Sequence, residues 1–352
     1  MRMLFTLICI VSLCFQVNCA PLVEEVSRGT FSTQGQDWEI ESGLVLAPTA
    51  QQNHVLVTIL PLGDGDSTII QCPDGDVILL DMGKDSSSSA GWTISMVQSY
   101  IRNIVHKITT VMVTHAAQSH YNFISTVLDH SLSQNLERII LSGYSEDYTE
   151  SNFKFWVNQR ANIVEYVNNQ RPCISDCTTQ PPLCRNVNGT VKFKYLGSNL
   201  GNNRFGRSTI LALITGFSSM FFPGDFEGLD IESLLVDEWQ RIGENITATH
   251  MKLSRQGSKA YSNSATLIKA VAPRIAFSSN AYPSTPFFTP SCGVIDRLLS
   301  VGSIAKRSHS MSYACGDENI GKIKQYQNWP YEIYTTSPSQ YQWQLLTFKL
   351  VL

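Results

Sequence analysis

Short apolar runs separated by turn residues open the patterned part of the chain. Three runs, Val55–Leu60, Ser67–Cys72 and Val77–Asp81, each have the length and β-branched content of a strand. The segments between them, Gly63–Asp66 and Pro73–Gly75, are rich in Gly, Asp and Pro, which favour tight turns. The pattern therefore predicts three strands joined by turns.

Helical and extended patterns alternate after this meander. Apolar residues recur at helical spacing in Trp92–Val105, and further helices are predicted from about Tyr121 and over Phe153–Val167. Strands are predicted at Ile108–Val113 and Arg138–Leu141. This alternation is typical of α/β proteins, in which helices pack on the faces of a sheet.

The second half of the chain repeats this order without an exact sequence repeat. The predicted elements are strands at Thr209–Thr215 and Ser219–Phe222, a helix at Leu229–Gln240, a strand into Leu253, a helix–strand unit at Ala265–Phe277 and a helix at Val294–Leu299. A hairpin followed by helix–strand units thus occurs twice. We expect two similar halves arranged as α/β layers.

The N-terminal residues have a different character. Arg2 followed by the apolar run Leu4–Phe15 predicts a signal peptide over 1–20, with cleavage near Cys19 or Ala20. Residues 21–50 carry little pattern and are interpreted as a loose arm. Residues 51–352 are assigned to one domain, which contains a Cys- and Pro-rich insertion at 171–189.

Composition narrows the class of protein. The 352 residues are 43% hydrophobic and 16% charged, which predicts a packed core and excludes a disordered chain. The net charge of -3 gives no indication of nucleic-acid or anionic-membrane binding. No segment after the signal peptide is long and apolar enough to span a membrane. We expect a soluble secreted protein with an extracellular partner that the sequence does not identify.

The cysteines and sequons agree with secretion. Asn188-Gly-Thr and Asn245-Ile-Thr are acceptor sites for N-glycosylation. An even number of cysteines after the signal peptide indicates disulfides in an oxidising compartment. These cysteines are Cys72, Cys173, Cys177, Cys184, Cys292 and Cys315.

Their pairing is open, because six cysteines allow fifteen connectivities. We predict a bond between Cys292 and Cys315 and a second bond closed locally within the insertion. The alternative for Cys173, Cys177 and Cys184 is a zinc knuckle, which an oxidising environment disfavours.

Three motifs at predicted strand ends resemble those of the metallo-β-lactamase superfamily, in the branch that includes the extracellular domain of the competence protein ComEC. The first is Leu62-Gly-Asp-Gly-Asp-Ser-Thr68 together with Leu80-Asp-Met-Gly83. The others are Val113-Thr-His-Ala-Ala-Gln-Ser-His120, and Phe222-Pro-Gly-Asp225 with Lys252-Leu-Ser-Arg-Gln-Gly-Ser-Lys259. The resemblance covers about residues 55–280 and implies a four-layer αββα sandwich with a dinuclear metal cleft.

The resemblance assigns three ligands to this chain. His115 matches the first histidine of the metal motif, His120 matches its closing histidine, and Asp225 matches the carboxylate that bridges the two metals. Asp225 is equally interpretable as a cap of the following helix. Asp81 closes its strand in the family pattern and is expected to be structural.

Other ligand positions of the family are vacant. Ala117 stands where an acid or histidine is expected, and Ser119 replaces the aspartate of the motif. The final histidine pair falls on Arg255 and Gln256, although the flanking residues keep the pattern. His250 lies five residues before Arg255, roughly 17 Å away along an extended strand, and is too far to substitute.

The ligand count predicts loss of catalysis. His115 and His120 serve different metals in the family, so each metal would keep about two protein ligands, whereas a catalytic zinc normally has three. Arg255 also brings a permanent positive charge to a cation position. We therefore expect a non-catalytic secreted protein without a cofactor. The alternative is an ester or phosphodiester hydrolase that uses zinc in a reduced site at His115, His120 and Asp225.

A serine esterase is disfavoured. Gly65-Asp-Ser67 matches the start of a GDS-type esterase, but that chemistry also needs a late Asp-x-x-His. The late histidine, His309, is preceded by Ala305-Lys-Arg-Ser308, which contains no aspartate.

Overall fold

A computed structural model of the chain describes residues 27–31, 54–85, 91–168, 183–184, 190–200, 207–258, 262–280, 289–317, 321–337 and 343–352. The predicted signal peptide, most of the predicted arm and most of the Cys/Pro-rich insertion lie outside these ranges. No helix within them is long and apolar enough to cross a membrane.

The described residues form sixteen strands and seven α-helices. The strands are β1 Ser27–Phe31, β2 His54–Ile59, β3 Ser67–Gln71, β4 Val77–Met82, β5 Thr110–Val113, β6 Arg138–Ser142, β7 Val164–Val167, β8 Lys192–Gly197, β9 Ile210–Ile214, β10 Ser219–Phe222, β11 His250–Lys252, β12 Ile275–Ser278, β13 Lys306–Asp317, β14 Lys322–Tyr331, β15 Ile333–Thr335 and β16 Trp343–Val351. The helices are α1 Ile94–Tyr100, α2 Gln118–Tyr121, α3 Ile124–Val127, α4 Ser151–Asn158, α5 Leu229–Arg241, α6 Ala265–Val271 and α7 Cys292–Val301. A π-helical turn, Ile101–Val105, extends α1.

The first sheet has eight strands in the order β1-β16-β2-β3-β4-β5-β6-β7. Its first half is antiparallel, from β1 to β4. The strands β4, β5, β6 and β7 are parallel to one another. Their carboxyl ends therefore share one edge of the sheet, where loops of a functional cleft are expected.

The second sheet has six strands in the order β15-β12-β11-β10-β9-β8. The strands β8, β9 and β10 are antiparallel, while β10, β11, β12 and β15 run parallel. The strands β13 and β14 form a separate antiparallel ribbon. Each sheet thus has a parallel half whose carboxyl ends lie together.

Two hydrophobic cores separate the layers. The larger core joins inward-facing residues of the first sheet, such as Val57 and Leu80, to residues of the second sheet, such as Phe221, and to α5, α6 and α7 behind it. The smaller core joins the opposite face of the first sheet, such as Val111, to α1, α3 and α4. The order is helices, sheet, sheet, helices, which confirms the predicted four-layer αββα sandwich.

Most predicted elements are present, and several differ. The helix predicted from about Tyr121 is instead two one-turn helices, Gln118–Tyr121 and Ile124–Val127. Residues 27–31, within the predicted arm, form β1 and pair with β16. The helix predicted over Phe153–Val167 ends at Asn158, and Val164–Val167 is a strand because its β-branched residues complete the parallel edge. Strand β8 was not predicted; it pairs with β9.

Two disulfides are formed among the described residues. Cys292 and Cys315 are bonded as predicted, which ties the start of α7 to β13. Cys184 is bonded to Cys72, which follows β3, so the bond predicted to close locally within the insertion does not include Cys184 and stays a prediction. Spatial proximity of distant segments decides this pairing, and the sequence spacing does not show it. Cys173 and Cys177 lie outside the described residues.

Candidate metal centre

Loops at the carboxyl ends of both sheets converge on one buried cluster. Asp66 comes from the turn before β3, and His115 and His120 come from the segment after β5. Asp225 follows β10, and Lys252 ends β11. All of these side chains are buried, so their charges face one another with little screening by water.

Two glycines let the loops approach this closely. A Cβ atom at Gly83 would lie 2.4 Å from the carbonyl oxygen of Gln118, and one at Gly65 would lie 2.0 Å from the carbonyl oxygen of Gly83. Side chains at either position would separate the turns. The Asp66 amide donates to the Ser119 carbonyl at 3.0 Å, so the glycine motifs set the backbone of the cluster.

His120 lies between two carboxylates. Its Nε2 is 3.1 Å from Asp225 Oδ2, and its Nδ1 is 3.0 Å from Asp81 Oδ2, a charge contact without the alignment of a hydrogen bond. Burial lowers the pKa of His120, but the carboxylates of Asp225 and Asp81 outweigh burial and raise that pKa well above its ordinary value. The ring of His115 packs edge-on against His120, with centroids 5.3 Å apart.

Asp81 positions this arrangement, as expected from the sequence. Its two carboxylate oxygens accept hydrogen bonds from the Thr114 amide at 2.7 Å and the Thr114 hydroxyl at 2.6 Å. Its backbone has φ 58°, a left-handed conformation that aspartate tolerates better than most residues. The strand end that carries His115 is thus fixed to the strand end that carries Asp81.

Asp225 is a buried carboxylate close to several positively charged or ionisable side chains. Burial opposes its ionisation, but His120 outweighs burial, and His115 and Lys252 add to this effect and hold the pKa of Asp225 below its ordinary value. One of its oxygens, Oδ1, accepts no hydrogen bond from the part of the chain that the structure describes. Asp225 therefore stays ionised and keeps one open acceptor position.

Sequence analysis did not assign a role to Asp66, Lys252 or Ser279. Lys252 Nζ lies 2.5 Å from Asp66 Oδ2, and the Ser279 hydroxyl donates to Asp66 Oδ1. Burial lowers the pKa of Lys252, but Asp66 and the other carboxylates outweigh it and raise that pKa. The Gly-Asp-Gly-Asp turn and the Lys-Leu-Ser motif contained the signal for two of these residues, whereas Ser279 lay in no motif.

The vacant ligand positions lie around this cluster. Ala117 precedes α2 and Ser119 lies within it. Arg255 and Gln256 occupy a short helical turn, Ser254–Gly257, where both have left-handed backbones. The Arg255 guanidinium pairs with Glu227, so the buried cation that contacts the site carboxylates directly is Lys252.

His250 has a separate environment. Its ring packs against Phe348 with centroids 5.3 Å apart, and its Nδ1 lies 2.9 Å from the Thr249 hydroxyl. Burial lowers the pKa of His250 to about 4. These contacts place it in the core between the sheets. Ser67 of the esterase motif is likewise fully buried in β3, and His309 lies on the β13–β14 ribbon.

Asp66, His120 and Asp225 together form a group that could hold a metal ion, because one ligand atom from each lies within 4.8 Å of the others. Their residue types suit a divalent cation such as zinc. Each oxygen of Asp66 also contacts another described side chain, Lys252 or Ser279, so a metal ion bound here would compete with the Lys252 ammonium for this carboxylate.

No protein-family model matches the sequence, and no curated protein matches it significantly. Among solved structures, the chain is similar to Igni18, a metallo hydrolase from the archaeon Ignicoccus hospitalis, with 12% identity and a TM-score of 0.45 over 77% of this chain and 99% of that chain. It is also similar to YhfI, a metallo-β-lactamase fold protein from Bacillus subtilis, with 10% identity and a TM-score of 0.42 over 78% and 100% of the two chains. Human short-form tRNase Z gives 14% identity and a TM-score of 0.36 over 64% and 93%.

At these identities and TM-scores, the likenesses carry no conclusion about what this chain binds or catalyses. The narrower resemblance to the ComEC branch stays a prediction.

Proposed function

We propose that this chain is a secreted, non-catalytic member of the metallo-β-lactamase superfamily with a binding or structural role outside the cell. The observation that carries the proposal is the occupied state of Asp66, whose carboxylate pairs with Lys252 and Ser279. Lys252 supplies inside the cleft the positive charge that a metal would otherwise bring. Ala117 and Ser119 add no imidazole or carboxylate to replace the lost ligand.

Secretion is supported by three independent features. The first twenty residues have the pattern of a signal peptide. Two disulfides are compatible with an oxidising compartment, and the Asn245 side chain of one sequon is exposed. The other sequon, at Asn188, lies outside the described residues.

Metal content tests the non-catalytic part of the proposal. The secreted protein is dialysed against zinc, then against metal-free buffer, and zinc per chain is measured by mass spectrometry. We expect far less than one zinc per chain. The matched control is the His120→Ala/Asp225→Ala variant, which should give the same value. Stoichiometric zinc that the control variant loses would overturn the proposal.

A second candidate is a hydrolase with a reduced metal site at His115, His120 and Asp225. It is favoured by the open acceptor position on Asp225 Oδ1 and by the short separation of the candidate ligand atoms. Phosphodiester and ester substrates with a coloured leaving group test it. Activity that the His115→Ala/Asp225→Ala variant loses would establish this candidate, and equal activity of variant and parent would eliminate it.

A further inference from the structure

The turn after β11 carries two residues with an unfavourable backbone conformation. Arg255 and Gln256 have φ values of 46° and 56°, in the left-handed region that arginine and glutamine rarely adopt. Gly257 follows with φ 88°. Such a backbone persists only where neighbouring contacts hold it. The contacts of this turn therefore indicate which part of the molecule it is built to hold.

Asn263 holds the base of the turn. Its Oδ1 accepts from the Ser254 amide at 3.0 Å, and its Nδ2 donates to the carbonyls of Ser254 and Ser258 at 2.9 and 3.0 Å. Ser254 and Asn263 are both fully buried. The backbone at Ser254 is thus fixed, and the direction of its side chain is fixed with it.

The Ser254 side chain reaches the segment that carries Asp225. Its hydroxyl lies 2.6 Å from the carbonyl oxygen of Phe226 and 3.1 Å from that of Gly224, and can donate to either. These two carbonyls flank Asp225 along the chain. Ser254 therefore holds the backbone on both sides of that carboxylate.

Two more contacts hold the same segment. The Arg255 guanidinium pairs with Glu227, two residues after Asp225, and the pair is partly exposed. Gly224 packs closely on the end of β5, since a Cβ atom there would lie 3.1 Å from Thr114 Oγ1. The segment 224–227 is thus bound both to the turn and to the strand that leads into the histidine motif.

We infer that Ser254 and Arg255 are positioning residues of the buried cluster, which fix the segment 224–227 so that Asp225 Oδ2 stays 3.1 Å from His120 Nε2. Arg255 stands where the family pattern has a metal ligand, and its role here is to hold the loop of Asp225 by an ion pair. The inference does not depend on the proposed function, because it concerns the contact between His120 and Asp225 and not what the cleft binds.

The proton resonance of the His120 Nε2–H group reports this contact, since its position depends on the distance to the Asp225 carboxylate. It is observed by NMR at one fixed pH in protein with isotopically labelled histidine, and it is assigned by its loss in His120→Gln. Ser254→Ala should shift this resonance, whereas Ser254→Thr, which keeps the hydroxyl, should shift it less than half as far. A residue that contributes only to overall stability would leave the resonance of the folded protein in place.

The ion pair gives a second test at partly exposed side chains, where substitutions are better tolerated. Glu227→Gln should shift the same resonance, because the segment loses its contact with the turn. The charge exchange Arg255→Glu/Glu227→Arg should return the resonance towards its position in the parent.

Two controls remove the same kinds of contact elsewhere. Ser300→Ala removes a hydroxyl that donates to a backbone carbonyl of α7, and Arg241→Gln breaks an exposed ion pair with Glu238 on α5. Neither should move the His120 resonance.

Three results would overturn the inference. They are an unchanged resonance in either Ser254→Ala or Glu227→Gln, a shift in Ser254→Thr or in the charge exchange as large as in the corresponding single variant, and a comparable shift in either control. If circular dichroism shows that Ser254→Ala is unfolded, the ion-pair variants decide alone.

Discussion

Replacing Lys252 by methionine tests the charge arrangement of the buried cluster most directly. The Lys252 ammonium lies 2.5 Å from Asp66 Oδ2, and the two side chains are 5% and 2% exposed. Methionine keeps much of the length of the lysine side chain but removes its charge. In the variant, the Asp66 carboxylate stays buried without its nearest counter-ion and keeps only the more distant His120 ring, whose Nδ1 is 3.7 Å from Asp66 Oδ2.

The expected loss of stability follows from this burial. Removing one partner of a buried ion pair costs about 3–5 kcal/mol, because the remaining charge is desolvated and uncompensated. The Ser279 hydroxyl still donates to Asp66, so we expect the lower end, about 3 kcal/mol. The matched control is Lys324→Met. The Lys324 side chain is 48% exposed, so solvent screens its ion pair with Asp317 and its loss should change stability far less than the loss of Lys252.

Urea unfolding with intact disulfides measures both effects. With an m-value of about 3 kcal/mol/M, a loss of 3 kcal/mol moves the midpoint by about 1 M. The double variant Lys252→Met/Asp66→Asn should regain at least about 1 kcal/mol, since it no longer buries a lone carboxylate. If Lys252→Met destabilises the protein no more than Lys324→Met does, Lys252 does not stabilise the buried carboxylate of Asp66. The Lys252–Asp66 ion pair would then no longer support the proposed function.

Three further predictions concern other parts of the molecule. The pKa of His250 is about 4 in the folded protein, against 6.5 when unperturbed, so only the unfolded chain takes up this proton as pH falls through that interval. About 3 kcal/mol of stability should be lost between pH 7 and pH 4, and His250→Phe should reduce this loss in urea titrations at both pH values. Replacing Cys292 and Cys315, which are 23 residues apart, by alanine should lower the free energy of unfolding by about 3 kcal/mol; an unchanged midpoint would argue against the bond. Enzymatic removal of N-glycans should lower the mass of the secreted protein, and Asn245→Gln should eliminate the part of that shift due to the exposed sequon; an identical shift would show that Asn245 is unmodified.

Hydrophobic periodicity determined most of the fold before any tertiary information. The runs that became β2, β3 and β4 are bounded by Gly, Asp and Pro turns, which specify strand ends locally. The helices α5, α6 and α7 were also found from their apolar spacing. Such signals are local, because each residue's preference depends on neighbours within a few positions.

Periodicity was insufficient where partners lie far apart in the chain. The segment Val164–Val167 continues an apolar pattern after α4 and is extended because it pairs with β6. Cys184 is bonded to Cys72 across 112 residues, and this contact exists only once β3 and the insertion meet in space.

Some residues of the candidate site could likewise be predicted from the sequence, whereas others were found only in the tertiary structure. The sequence by itself determined that His115, His120 and Asp225 are present, that Ala117 offers no ligand atom and that Ser119 lacks the carboxylate of the motif, since residue identity is enough for that conclusion.

Only the tertiary structure decided which cation faces the carboxylates. Arg255 pairs with Glu227, while Lys252, 186 residues from Asp66 in the chain, provides the buried positive charge. Ser279, whose hydroxyl donates a hydrogen bond to the Asp66 carboxylate, is 213 residues from Asp66 in the chain. A charge acts through distance in space and not through position in the sequence, so this compensation emerges only when the carboxyl ends of both sheets come together.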